Sequence, residues 1–342
     1  MCVNFEGKHM ISEERVQRLV FEILGILKEK EHEGPVGARM IAKELGKRGF
    51  KIGERAVRYH LKLLDEKGFT KKPGSLEGRI LTGVGKEEIK HALVGKRVGF
   101  VIGKIEELIY KMSYDFKTGK GAVIVNVSIL NARDLKKTLV VMKKVIDAGY
   151  APSPFIKIAR EGKSIEWVMV PNGKVGIATV CSITIDGMLA KAGIPVSPKF
   201  GGVLEIEKRK PKRFTDAITY QGSSLDPLEV FASKKMTSYL NVVKVGSGRI
   251  LANLREIPML ARSSAQNIIN QAKEKGLDGV VVVGAPGEPL YGLPVDVNRV
   301  GIVVVGGINP ITAAEESGIA IETKIMEATL DIEEMQHIQK WM

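Results

Sequence analysis

Glu54-Arg-Ala-Val-Arg-Tyr-His-Leu-Lys-Leu-Leu-Asp-Glu-Lys67 has two faces with different requirements. Val57, Leu61 and Leu64 recur at i, i+4, i+7, the spacing of an apolar helical stripe that faces a core. Arg55, Arg58, Tyr59 and Lys62 recur at i, i+3, i+4, i+7 on the other side, a face with three cations, one aromatic and no carboxylate. Gly53 and Glu54 open this helix, and Gly68 supplies the left-handed position that closes it.

A run of charge by itself describes only a solvated helix, so the neighbours decide the reading. Before it, Val36 to Leu45 reads as a weaker helix with Met40, Ile41 and Leu45 apolar and Arg39, Lys43, Lys47 and Arg48 on the polar side. After it, Phe69-Thr-Lys-Lys-Pro-Gly-Ser-Leu-Glu-Gly-Arg-Ile-Leu-Thr82 gives two short strand-like runs around a Pro73-Gly74 turn, with Lys71, Lys72 and Arg79 on them. Helix, turn, basic helix and basic hairpin form the order of a winged helix-turn-helix. Its second helix enters the major groove and its wing touches the DNA backbone or minor groove.

The upstream stretch fits as the first, packing helix. Ser12 is its N-cap, Glu13 and Glu14 sit in the positive first turn, and Val16, Leu19, Val20, Ile23, Leu24 and Leu27 form its stripe. Residues 1–11 read as a loose arm, and Gly34-Pro35 stops the helix. The winged module therefore spans residues 12–84. Lys86 to Leu93 reads as a short connecting helix, and the flanking Gly85 and Gly95 mark a boundary.

At 342 residues the chain accommodates two or three domains, and its 44% hydrophobic and 27% charged content is that of a globular protein rather than a disordered one. The longest apolar runs, Val280 to Ala285 and Val300 to Ile308, fall far short of the roughly 20 residues that span a bilayer. Met1 to Ile11 lacks the apolar core of a signal peptide, so the expectation is a cytoplasmic protein. Cys2 and Cys181 stand at no metal-ligand spacing and the five histidines are scattered, which points to neither a disulfide framework nor a metal site. A net charge of +13 favours polyanionic partners. Its placement says more, because Pro35 to Leu63 holds eight Lys and Arg against two Glu, a density suited to phosphate contacts.

Downstream the chain repeats itself. Gly119-Lys-Gly121 and Ala122-Val-Ile-Val-Asn126 match Gly246-Ser-Gly248 and Arg249-Ile-Leu-Ala-Asn253 at a shift of 127. Lys174-Val-Gly-Ile177 matches Arg299-Val-Gly-Ile302, and Gly193-Ile194 matches Gly318-Ile319, at a shift of 125. The residues thus predict an α/β domain over 95–334, internally duplicated as about 100–210 and 225–334. Each copy reads as helix, strand, helix, strand, loop, strand, short helix and strand. Val280 to Val283, apolar throughout, is expected to be buried on both faces under helices. The basic run Lys208-Arg-Lys-Pro-Lys-Arg213 reads as an exposed crossover between the copies.

The two matched strand-to-helix turns are the places for a ligand. In one, Cys181 and Ser182 end a strand and Thr184 caps the helix that Gly193 closes. In the other, Gly306 and Gly307 follow the strand, Asn309 caps, Pro310 takes the first helical position and Gly318 closes. Free backbone N–H groups and a positive helix end suit a carboxylate or phosphate at either turn. Lys199, Arg160 and Arg262 are further cations for a dianion, Cys181 reads as a small buried hydrophobe, and Asn126 and Asn253 as partners for buried backbone groups. No nucleotide-binding, zinc-protease or serine-hydrolase motif occurs, so no catalytic residue is assigned and a non-enzyme is expected.

Val16 to Thr82 resembles the winged helix of ribonuclease R. The stretches Pro171-Asn-Gly-Lys-Val-Gly-Ile-Ala-Thr-Val-Cys-Ser-Ile-Thr-Ile-Asp-Gly187 and Gly193-Ile-Pro-Val-Ser-Pro-Lys-Phe-Gly-Gly202 resemble the NrpR family, archaeal repressors of nitrogen-assimilation genes. The resemblance covers nearly all the chain from about Ser12. It implies a homodimer or higher homo-oligomer on a palindromic double-stranded DNA operator, released by 2-oxoglutarate, with no cofactor. Family members often carry two regulatory domains, whereas this chain has room for one duplicated domain. Two other readings stand beside this one: an RNA-binding or RNA-processing protein, and a metabolic enzyme tethered to a winged helix.

Overall fold

Apolar stripes at helical spacing build the N-terminal unit of the computed structural model, which describes residues 6–74, 78–91 and 100–342. The chain divides into two units, residues 1–95 and 96–342. The first contains α1 (Glu6–Glu29), α2 (Ala38–Lys47), α3 (Glu54–Glu66), β1 (Thr70–Lys71), β2 (Ile80–Leu81) and α4 (Gly83–His91). Val57, Leu61 and Leu64 of α3 are all buried, against Ile23, Leu27, Ile41 and Leu45 from α1 and α2. Such burial contributes about 1.5–3 kcal/mol per aliphatic side chain and fixes which face of α3 meets solvent. β1 and β2 pair antiparallel, Thr70 opposite Leu81, as the predicted wing. Gly68 closes α3 with φ 73°.

Two details differ from the sequence reading. The helix begins at Glu6, so Ser12 lies inside α1 instead of capping it. Gly7 is the only breaker in that first turn and costs about 1 kcal/mol in a helix interior. Gly85 lies inside α4 rather than flanking it, and a Cβ there would sit 2.0 Å from the Phe69 carbonyl oxygen. The expected boundary at Gly95 falls outside the described residues.

The second unit runs α5 (Phe100–Lys111), β3 (Ala122–Asn131), α6 (Leu135–Asp147), β4 (Phe155–Arg160), β5 (Ser164–Ile165), β6 (Val168–Met169), β7 (Lys174–Val180), α7 (Ile183–Lys191), β8 (Ser197–Glu207) and β9 (Lys210–Thr219). It continues with α8 (Pro227–Ser233), α9 (Tyr239–Val245), β10 (Gly248–Pro258), α10 (Arg262–Glu274), β11 (Val280–Pro286), β12 (Arg299–Val305), α11 (Asn309–Glu316), β13 (Ile321–Asp331) and β14 (Gln336–His337). The predicted duplication is present, with β3-α6-β4-β7-α7-β8 answering β10-α10-β11-β12-α11-β13.

The halves exchange their last strands. One five-stranded sheet has the order β13-β3-β7-β4-β14 and the other β11-β12-β10-β8-β9. Thus β8, from the first half, pairs with β10, and β13, from the second, pairs with β3. Helices cross over in the same way, α6 packing on α11 and α7 on α10. The long pairings between named strands are antiparallel. A single core cluster draws on both halves, from Val123, Val125 and Ala178 to Ile302, Val304 and Leu330.

Two expectations are corrected. β11 is an edge strand and Val280 to Val283 are only partly buried, because the sheet ends there. Lys208 to Arg213 is no crossover; it forms a two-residue hairpin turn and the start of β9. The apolar pattern of Phe214 and Ile218 is too sparse to announce a strand whose other residues are mostly exposed.

Candidate nucleic-acid interface and ligand site

The face of α3 opposite its buried stripe presents Arg55, Arg58, Tyr59 and Lys62, all exposed, Tyr59 at 61%. Arg58 donates to Glu54 at 2.6 Å and Lys62 stands 4.0 Å from Glu66, exposed pairs that solvent weakens and a stronger anion displaces. Lys71 and Lys72 are exposed on the wing. Arg79 is committed elsewhere: its Nε donates to Asp65 Oδ2 at 2.6 Å, while Thr70 Oγ1 donates to Asp65 Oδ1 at 2.6 Å. Asp65 thereby clamps both wing strands to the end of α3, and Arg79 holds the wing in place instead of reaching outward. His60, which the sequence did not single out, lies on the buried side, its Nδ1 lacks a partner, and burial pushes its pKa down.

In the regulatory unit the two matched turns meet where the halves interlock. A Cβ on Gly307 would lie 2.6 Å from the Val180 carbonyl oxygen and 2.7 Å from Cys181 Cα, so only glycine permits this approach. Thr179 Oγ1 donates to the Gly307 carbonyl at 3.3 Å. The gap left between them, bordered by Asn126, Cys181, Ser182, Tyr220, Asn253 and Gly307, is about 10 Å³. That is room for about one water molecule.

Neither predicted cap forms. Thr184 Oγ1 is fully buried, accepting from Ile124 N–H at 3.1 Å and lying 3.2 Å from its carbonyl. Asn309 is also fully buried; it accepts from Tyr239 O–H at 2.7 Å and donates to the carbonyls of Tyr150 and Leu251 at 3.0 Å each. The helices start earlier than expected, with Ser182 and Ile308 at the N-cap positions, so Thr184 and Asn309 lie inside the first turn, where their side chains satisfy buried backbone groups. Gly306 N–H donates to Leu251 O at 2.8 Å. Asn126 accepts from Met326 N–H at 3.1 Å, whereas Asn253 finds side chains, donating to Tyr220 at 3.0 Å and accepting from Ser182 at 3.4 Å.

An ion pair that the sequence reading missed ties the first turn to the other half. Arg255, 1% exposed, donates to Asp186, 0% exposed, and to the Ser182 carbonyl at 3.1 Å. Burial pushes the Asp186 carboxyl up to about 6 even against this guanidinium, and the Cys181 thiol up to about 12, which leaves Cys181 an inert apolar filler.

Residues 98–337 match a family model described as NrpR regulatory domains NRD1 and 2. The chain belongs to the NrpR family. A second family model, the ribonuclease R winged-helix domain, matches residues 21–89. The global nitrogen regulator NrpRI of Methanosarcina mazei is 46% identical over 324 residues, which span 95% of this chain and 99% of that one. The global nitrogen regulators NrpR of Methanococcus maripaludis and Methanocaldococcus jannaschii are each 34% identical, and this chain spans 54% and 56% of their lengths. A nitrogen repressor-like protein from Methanococcus jannaschii, solved by crystallography, superposes with a TM-score of 0.60 at 30% identity, covering 70% of this chain and 98% of that one.

The larger cavity, about 520 Å³, opens beside the two turns between α8, α11 and β13, sharing Ile308 and Ile325 with the small gap. Glu229, Glu315, Glu316 and Lys235 line it, a surplus of negative charge that disfavours a dianion. Glu316 is spent on capping α9, accepting from Tyr239 N–H at 2.8 Å and Leu240 N–H at 3.2 Å. Lys199, Arg160 and Arg262 do not converge there: Lys199 pairs with Asp296 at 2.5 Å and Glu256 at 3.3 Å, and Arg262 donates to Gly284 O at 2.7 Å. Arg160 sits exposed at the end of β4.

Asp226 caps α8, accepting from Leu228 and Glu229 N–H at 2.8 and 3.3 Å, and burial pushes it from 3.8 up to about 6. A carboxyl that keeps its proton to higher pH in the fold than in the unfolded chain stabilises below its unfolded pKa, and that stability is lost as pH rises through the folded pKa. Stability is therefore expected to decline between about pH 4 and 6, by roughly 3 kcal/mol from this group. Asp226→Asn, which keeps the capping oxygen, is expected to flatten that part of the profile in urea unfolding at stepped pH. A variant with the parental slope would remove Asp226 as the cause.

Proposed function

We propose that this chain is a DNA-binding repressor of nitrogen-assimilation genes, acting in the cytoplasm as a homodimer or higher homo-oligomer on a two-fold operator, and released by 2-oxoglutarate. The observation that carries the DNA contact is the division of α3, with Val57, Leu61 and Leu64 buried and Arg55, Arg58, Tyr59 and Lys62 turned to solvent beside Lys71 and Lys72 of the wing. Arg55 and Arg58 offer forks that match guanine edges or phosphates, and Lys62 a point charge for a phosphate. Family membership supports the nitrogen signal, and its characterised relatives are named as regulators rather than enzymes.

The effector acts, in this reading, by parting the two turns. At about 10 Å³ the gap between Cys181 and Gly307 admits no dicarboxylate while the halves are closed. A ligand that binds only the parted arrangement shifts the population toward it by its differential affinity, and DNA that prefers the closed arrangement is weakened by the same factor. Coupling of about 1–3 kcal/mol gives a change of roughly 5- to 150-fold. The test is binding to promoter-region duplex at fixed salt, titrated with 2-oxoglutarate beside a non-specific duplex. Release from the specific site alone is the expected result. Tight specific binding indifferent to the metabolite would keep the regulator and discard this effector.

A further inference from the structure

The hairpin between β8 and β9 reverses in two residues, Lys208 and Arg209, and both have left-handed backbone, φ 52° and 63°. Two-residue turns of this hand favour Asn-Gly or Asp-Gly, because a larger side chain crowds its own carbonyl there. Here both positions carry long cations instead. The strained tip is also held rigidly, Arg209 N–H donating to the Gly246 carbonyl at 2.7 Å and Lys208 N–H to Ser247 Oγ at 3.1 Å.

Lys208, Arg209, Lys210, Lys212 and Arg213 are all exposed. Lys212 pairs with Glu207 and Arg213 with Glu205, each at 2.8 Å, and exposed Arg249 lies opposite Glu205 on β10. Among the described residues the Lys208, Arg209 and Lys210 side chains have no ion-pair or hydrogen-bond partner. Six cations thus face two carboxylates on a fixed knob. Edge-strand protection accounts for Pro211, Lys212 and Arg213, since β9 ends its sheet, but asks nothing of the turn itself.

We infer that this hairpin tip is a second DNA contact, in which Lys208, Arg209 and Lys210 bind the phosphate backbone of duplex DNA and add sequence-independent affinity to that of the winged helix. The inference rests on the reading of the chain as a DNA-binding regulator. Duplex DNA is the polyanion favoured because α3 brings it to the same polypeptide, which raises its effective concentration at the tip. Residues 205–213 contain no aromatic on which a single-stranded base would stack.

The variant Lys208→Asn/Arg209→Gly separates charge from fold, since it installs the turn residues the backbone prefers. In the full chain it is expected to keep or raise the melting temperature. It is also expected to lower the slope of log K against log salt by about two, and to weaken specific and non-specific duplexes by the same factor, roughly tenfold or more near 0.1 M salt. An unchanged slope in this variant, with sequence discrimination lost in Arg55→Ala/Arg58→Ala, would overturn the hairpin contact alone. A parent chain that binds no duplex would overturn the DNA-binding reading together with it.

Discussion

Arg255→Ala is expected to destabilise the regulatory unit by about 3–5 kcal/mol, the range for removing one partner of a buried ion pair. The guanidinium and the Asp186 carboxylate are 1% and 0% exposed, so no solvent replaces what is lost. Asp186 Oδ2 and Arg255 Nε already lack partners, and truncation would leave the whole carboxylate uncompensated in an apolar cluster. Protonation relieves part of this, since burial already lifts Asp186 to about 6, and the variant should recover some stability as pH falls. The double replacement Arg255→Met/Asp186→Leu is expected to cost far less than Arg255→Ala, because apolar residues of similar size often match or exceed a buried pair. Urea unfolding of the three chains decides it; equal midpoints for parent and Arg255→Ala would show that the pair is not what joins the halves here.

The second large effect is expected at α3, the helix proposed to face DNA. Arg55→Ala/Arg58→Ala/Lys62→Ala is expected to weaken operator binding by at least about a hundredfold, at roughly 1–3 kcal/mol for each base-reading contact and less for a phosphate contact. The fold should survive, because all three side chains are exposed and the helix stripe beneath is untouched. Circular dichroism and a salt titration on the same preparation distinguish lost contacts from lost structure. Undiminished operator binding would remove α3 as the reading element. Arg79, clamped by Asp65, belongs to the geometry of the wing, and its loss would loosen the hairpin before it removed any phosphate contact.

Much of this was legible in the sequence wherever a residue's role depends on its near neighbours. The stripe at Val57, Leu61 and Leu64, the left-handed Gly68, Gly193 and Gly318, and the repeated strand and helix limits are all set locally. Strand partners are set by packing, and nothing in Ser197 to Glu207 or Ile321 to Asp331 announces that each leaves its own half for the other. The same blindness affected the candidate site. Thr184 and Asn309 lie inside the first turn of their helices, and their side chains are engaged at distances no helix rule reaches, Thr184 by Ile124, and Asn309 accepting from Tyr239 and donating to the carbonyls of Tyr150 and Leu251. Asp186 offered a signal, an acid in the middle of an apolar helix, which requires a partner even when the partner is unnamed. Arg255 could have been sought on that ground.

The exchange of strands also constrains how the protein is made. Residues Ala122 to Leu130 of β3 take their outer partners from Ile321 to Asp331, which emerge from the ribosome roughly 200 residues later. At about 5–20 residues per second, β3 waits on the order of 10–40 s with one edge open. The first half therefore cannot complete its sheet until Ile321 to Asp331 have emerged, and a chain that stops before Ile321 has a winged helix but lacks the outer strand of its regulatory unit. Such a product would expose a ready template for pairing with another nascent chain. Synthesis through Asp331 is thus a condition for the regulatory unit, since only a chain that carries β13 can cover the open edge of β3.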